Sequence, residues 1–187
     1  MTVAPEVRIE GSLVRLRPPS AADVRHFVRW YSDPEVMYWL HMTEGPPATE
    51  PMEKERIGTA RSDQSQMLWM IETSEGRVIG NIALLQIDLV HGRAWLGVTI
   101  GEKDCWSRGY GTDATRLLLH YAFENLGLRR IQLITDVDND RGIRCYEKCG
   151  FYREALLREH RLRHGKPLDM VQMAVLRGEW SAIDGRR

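Results

Sequence analysis

The stretch "CWSRGYGTDATRLLL", Cys105–Leu119, sets two glycines and an arginine directly ahead of an apolar helical pattern. Gly109 and Gly111 carry no side chain, so a helix beginning there leaves its first backbone N–H groups unshielded and open to a ligand's oxygens. Beyond them Ala114, Leu117, Leu118, Tyr121 and Ala122 recur at helical spacing, and Gly127 follows as a C-terminal stop. The dipole of such a helix favours an anion at its N-terminus by about 0.3–1 kcal/mol, and Arg108 adds a full charge. The segment reads as an anion site with phosphate as its natural guest, built from Arg108, Gly109, Tyr110, Gly111 and Thr112. A glycine turn entering a surface helix explains the stretch equally well by itself, because a lone Gly-x-Gly is a weak signal.

Working outward, "MLWMIET" (67–73), "GRVIGNIALLQID" (76–88) and "RAWLGVTIG" (93–101) read as three successive strands joined at 74–76 and 90–92. Met67, Trp69 and Ile71 form the inward face of the first. Upstream, "SLVRLRP" (12–18) is a strand, and Ser20 caps a helix with Ala21, Val24, Phe27, Val28 and Tyr31 as its stripe. Residues 32–51 break into loop or short helix, and "MEKERIGTARS" (52–62) is a brief helix. Downstream come a strand, "RRIQLITD" (129–136), a helix, "NDRGIRCYEKCG" (139–150), and two closing strands at 151–159 and 167–176. Helices placed between runs of strands predict an α+β, mixed α/β fold.

The chain has 187 residues, with 26 basic and 26 acidic side chains that cancel. That length buries about 70% of the unfolded surface in one core, and one domain over 8–180 is expected, with 1–7 and 181–187 as flexible termini. Neutrality gives no reason to expect nucleic acid or an anionic membrane as partner. No basic start with an apolar run opens the chain, no stretch approaches a membrane span, and three cysteines without Cys-x-x-Cys suit a reducing compartment, so a cytoplasmic protein is expected.

Two motifs occur together: "GEKDCWSRGYGTDA" (101–114) and, some thirty residues on, "NDRGIRCYEKCGF" (139–151). The pair resembles the GCN5-related N-acetyltransferase family, and within it the branch of ribosomal-protein N-terminal and spermidine acetyltransferases. Gly109 and Gly111 fill the glycine positions of the family's first motif. Asn139, Tyr146, Gly150 and Phe151 fill the second, while Trp106 and Gly142 depart from the general pattern. The resemblance implies a twisted, mixed, mostly antiparallel sheet of about seven strands, splayed between the fourth and fifth, with helices on its faces. It implies acetyl-CoA as co-substrate and no metal. The acceptor would be a primary amine on a protein N-terminus, a polyamine or a small molecule, and the enzyme either monomer or dimer.

Residue by residue, the resemblance gives the diphosphate to the loop at 108–112 and the pantetheine arm to Val98, Ile100 and Asn139, with Arg144 and Lys148 within reach of phosphates. Tyr146 takes the place of the general acid, since a phenol with a pKa near ~10 stays protonated until a thiolate departs. The glutamates that serve relatives as base are replaced by Trp95 and Ile134. Asp136 is the candidate base, with His41 and Glu44 as loop alternatives, and water as another. Trp30, Tyr31, Trp39, His41 and Glu44 suit an acceptor site, as aromatic walls and a carboxylate suit a cationic amine. Cys145 and Cys149 at i, i+4, and His160 with His164, lack the further ligands a zinc site needs.

Two rival readings stay open. Gly109-x-Gly111-x-x-Ala114, with Asp136 beyond, also satisfies a permissive dinucleotide fingerprint for NAD. A non-catalytic acetyl-CoA sensor would account for the missing glutamates.

Overall fold

The computed structural model describes residues 7–40 and 47–184. Its strands, in chain order, are β1 Ile9–Glu10, β2 Val14–Arg17, β3 Met67–Thr73, β4 Val78–Asp88, β5 Arg93–Ile100, β6 Arg130–Asp136, β7 Tyr152–Arg163 and β8 Lys166–Leu176. They form one eight-stranded sheet in the order β1-β2-β3-β4-β5-β6-β8-β7. Every pairing is antiparallel except β5 with β6. The eighth strand is the two-residue β1; leaving it out, the parallel junction falls between the fourth and fifth strands, where the splay was expected.

The helices are α1 Val24–Tyr31, α2 Pro34–Met37, α3 Glu50–Ser62, α4 Tyr110–His120, α5 Asp140–Lys148 and α6 Arg177–Asp184. They cover both faces, so the sheet has two cores. On one face Met67, Trp69 and Ile71 of β3 pack with Ala114 and Leu118 of α4, Ile143 of α5 and Trp180 of α6. On the other, Leu68 and Met70 pack with Phe27 and Trp30 of α1 and Ile57 of α3. All seven residues of β3 are consequently buried, where the alternation had given only one inward face.

Two elements escaped the sequence reading. The stripe that continues α4 passes into a π-helical turn at Tyr121–Asn125 before Gly127, whose φ of 66° ends the run. Helix α6 extends through Asp184, beyond the expected end of the domain at 180, and its Trp180 packs on Phe123 at 5.4 Å. Among the described residues no helix is long and apolar enough to cross a membrane.

Candidate active site

Strands β5 and β6 pair only at Arg93↔Arg130, Ala94↔Ile131 and Trp95↔Gln132. Beyond Trp95, β5 keeps β4 on its other side, with Ile82 opposite Val98 and Gly80 opposite Ile100, while β6 turns to β8. The divergence opens a cleft of about 840 Å³. Val98 and Ile100 line it, and the backbone of β5 facing the gap has no strand partner beyond Trp95.

At one end of the cleft lies the start of α4. Gly109 is its N-cap at φ 88°, a left-handed conformation that a side chain would strain, and Ser107 is also left-handed at φ 60°. The first-turn N–H groups of Tyr110, Gly111 and Thr112 have no intrahelical acceptor. The turn is fixed from two sides. Trp106 Nε1 donates to the Ile100 carbonyl at 2.7 Å. Asp113 accepts from Ser12 Oγ at 2.9 Å and from the N–H groups of Leu13 and Val14 at 2.8 and 3.0 Å. Arg108 is exposed beside this turn and does not line the cleft, whereas Arg144 and Lys148 do.

A Cβ added at Gly111 would meet only Cys145 Sγ and Ile100 Cγ1, both at 3.7 Å. Its own neighbours therefore do not demand a glycine. What the absent side chain leaves is room beside three unsatisfied donors, and that fits the diphosphate of a coenzyme A.

Asn139 caps α5. Its Oδ1 accepts from Gly142 N at 3.0 Å and its Nδ2 donates to Thr135 Oγ1 at 3.0 Å. These bonds place α5 against β6 and leave the second amide hydrogen of Asn139, which lines the cleft, without a partner in either bond. Two turns on, Tyr146 lines the cleft half-buried, with its ring 5.9 Å from Phe151. Burial, with the Cys145 and Cys149 sulfurs adding to it, raises the phenol's pKa well above the ordinary value. Beside it Cys149 holds the Cys145 thiol below the usual range, and Thr112 Oγ1, 3.3 Å from the sulfur, acts in the same direction.

Asp136 is not placed to be a base. It is 1% exposed, is not part of the cleft lining, and is gripped by Arg161 Nη2 at 2.5 Å and Arg163 Nη2 at 2.6 Å. Arg163 also reaches Asp138 Oδ2 at 2.8 Å and the Tyr38 hydroxyl at 2.7 Å. Arg161 donates to the Tyr38 and Leu40 carbonyls at 3.4 and 3.5 Å. The cluster thus ties the end of β6 to the segment after α2. Its arginines reach inward because β7 bulges between Leu157 and Arg161, with Glu159 at φ 50°. The same grip removes Asp136 as the ribose ligand of a dinucleotide fold.

The acceptor end needs a second correction. Trp30 is 1% exposed, donates through Nε1 to Glu102 at 2.7 Å and lies in the α1/α3 core. It packs where Gly101 has no side chain: a Cβ there would sit 2.2 Å from the indole. Tyr31 and Trp39 do wall the cleft, and Asn81 Nδ2 donates to the Tyr31 hydroxyl at 3.1 Å. His41 and Glu44 lie outside the described residues. The reading missed Arg141, whose guanidinium lies 3.8 Å over the Trp106 ring, and Arg56, which lies 4.8 Å over Tyr31. Both line the cleft.

Residues 14–152 match the family model described as the acetyltransferase (GNAT) domain. The spermidine N(1)-acetyltransferase of Escherichia coli is 28% identical over 170 residues, covering 90% of this chain and 89% of that protein. The Bacillus subtilis protein YdaF, named as a candidate ribosomal N-acetyltransferase, is 30% identical over 174 residues, covering 91% and 94%. A crystal structure of spermidine N-acetyltransferase from Vibrio cholerae in complex with CoA and spermine shares the fold at TM-score 0.82 and 23% identity, over 89% of this chain and 97% of that one. With the splayed strands and glycine-opened helix joined to that match, the chain belongs to the GNAT acetyltransferase family, as an acetyl-CoA-dependent N-acetyltransferase.

Proposed function

We propose that the cleft transfers an acetyl group to a primary amine by direct attack in a ternary complex, with residues 8–180 acting as one cytoplasmic catalytic domain. The observation that carries this reading is the convergence on one cleft of the α4 start, the unpaired edge of β5 and the Tyr146 phenol. Bound acetyl-CoA supplies an activated thioester. The N–H groups of Tyr110, Gly111 and Thr112 hold its diphosphate, with Arg108, Arg144 and Lys148 as surrounding positive charge. The backbone of β5 around Val98 and Ile100, which has no β6 partner among the described residues although Trp106 holds the Ile100 carbonyl, binds the pantetheine amides and orients the thioester carbonyl for attack, where positioning supplies up to roughly 7–11 kcal/mol.

Tyr146 donates to the departing sulfur. Its raised pKa keeps it protonated as a hydrogen-bond donor over the working range, and any proton it passes to the thiolate is replaced by the one the amine releases to water. Among the described lining residues there is no Asp, Glu or His. In this reading the acceptor loses its proton to water, and the neutral amine is the form that attacks. Replacing Tyr146 by Phe lowers kcat by about 10²–10⁴-fold with the Kd for acetyl-CoA nearly unchanged. Unaltered turnover in that variant removes the role.

That the described lining holds no carboxylate or imidazole also favours a second reading, a module that binds acetyl-CoA without consuming it. Thiol release against a panel of amines decides between them: turnover with any amine supports the transferase, and binding with no release supports the module.

A further inference from the structure

The two ends of the cleft differ in how their charge is answered. Arg144 and Lys148 are exposed near the α4 start, where a diphosphate would meet them. Arg141 sits at the other end of α5. Cys145, which touches Thr112 of the α4 start, lies one turn further along, about 6 Å up the helix axis. The Arg141 guanidinium lies between the two, 3.8 Å over the Trp106 ring of the turn before α4 and 5.9 Å from the ring of Trp39 on the acceptor wall. No carboxylate among the described residues makes an ion pair with it, and Glu35, the nearest acid to influence it, is bonded to Lys103 at 3.0 Å. The Arg141 side chain is half-buried, and burial lowers its pKa.

Arg56 adds a donor to the same half. Its Nε is taken by Glu53 at 2.7 Å, but its Nη2 is buried with no hydrogen-bond partner. The described lining of the cleft contains no Asp or Glu at all. A polyamine would bring further positive charges into a space that already holds an unanswered guanidinium. An acceptor carrying an anion would satisfy it.

We propose that Arg141 is the docking charge for a carboxylate on the acceptor, so that the amine acetylated here also bears an anion and is not a polyamine. This rests on the acetyl-transfer reading above. The carboxylate belongs either to a free amino acid or to an acidic residue near a peptide N-terminus; the chemistry recognised is the same.

The test compares CoA release with the free amino acids, their carboxamides, short peptides with an acidic second residue, and spermidine. Wild type is expected to prefer carboxylate-bearing amines over matched carboxamides by roughly 10- to 100-fold in kcat/KM. In R141Q that ratio collapses, in R141K it is partly restored, and the KM for acetyl-CoA moves by less than about twofold. Free amino acids leading, or acidic peptides leading, both support the proposal and assign the source. Preference for spermidine, parity of acids with carboxamides, or an equal rise in KM for acetyl-CoA in R141Q overturns it. A second measurement does not depend on turnover. N-acetyl amino acids and their carboxamides are titrated calorimetrically into the CoA-saturated protein, and the carboxylates bind more tightly in wild type and lose that advantage in R141Q. Equal binding of the two series overturns the proposal. Intact carboxylate binding with no CoA release from any amine overturns the acetyl-transfer reading instead.

Discussion

Asp136→Asn separates two roles for one carboxylate. The oxygens of Asp136 lie 2.5 and 2.6 Å from Arg161 and Arg163, whose side chains are only 10% and 8% exposed. Asparagine keeps the volume and one acceptor oxygen but deletes the charge, which leaves Arg161 without an ion-pair partner at Asp136 and Arg163 with Asp138 alone. Removing one partner of a buried ion pair costs about 3–5 kcal/mol, because the desolvated charge left behind is uncompensated. For a chain of this size that corresponds to a fall in Tm of about 6–20 °C. Replacing Arg161 by Met in the same chain removes one of the two cations that face position 136 and should recover part of the loss, a coupling that a double-mutant cycle measures. Urea unfolding gives the stability, and kcat over pH gives the chemistry at a temperature where the variant is folded. A D136N protein of unchanged stability whose kcat is abolished would refute the structural role and restore Asp136 as base.

Other outcomes follow from the same geometry. Gly111→Ala should raise the Kd for acetyl-CoA by roughly tenfold or more while leaving apo stability unchanged or slightly higher, since its Cβ has room among protein atoms; calorimetric titration beside a melting curve checks both. The rate should climb with pH as the free acceptor amine deprotonates and then level, near pH ~8 for an α-amine, with no falling limb from Tyr146 because its pKa is raised; a limb that tracks an enzyme group instead would reveal a base. Asp23 has a pKa of about 2: burial opposes its charge, but hydrogen bonds from Arg17 and Ser20 outweigh it. Because the folded value lies below the unfolded one, its stabilisation of about 2 kcal/mol is present above pH ~4 and lost as pH falls toward 2. Asp23→Asn should therefore destabilise at neutral pH, with the difference vanishing in acid-unfolding experiments near pH 2.

The parts legible in the sequence are those specified locally. Period-two runs gave β3, β4, β5 and β6, and the spacing from Ala114 to Ala122 gave the helix behind Gly109. What stayed hidden depends on partners distant in the chain. Asp136 resembles a catalytic base until Arg161 and Arg163 arrive from a strand some twenty-five residues on, turned inward by a bulge that no local pattern announces. Trp30 looks like an acceptor wall until Gly101 admits its ring to the core. Asn139 matches a binding motif, and the sequence alone does not show that its amide also caps α5 and bonds Thr135. Arg141 carried no signal of its own, because a guanidinium becomes conspicuous only where its surroundings fail to neutralise it.

Three residue pairs are all that knit β5 to β6 among the described residues, so the thinnest seam within the body of the sheet, inside the two-residue edge strand β1, is also the groove in which the co-substrate would lie. An occupant bridging that seam acts as mortar between the β1–β5 and β6–β8 halves, and its affinity becomes part of the cohesion of the whole molecule. At a hundredfold excess over Kd such mortar is worth about 2.7 kcal/mol. The endurance of this protein in a cell would then rise and fall with the supply of the metabolite it spends.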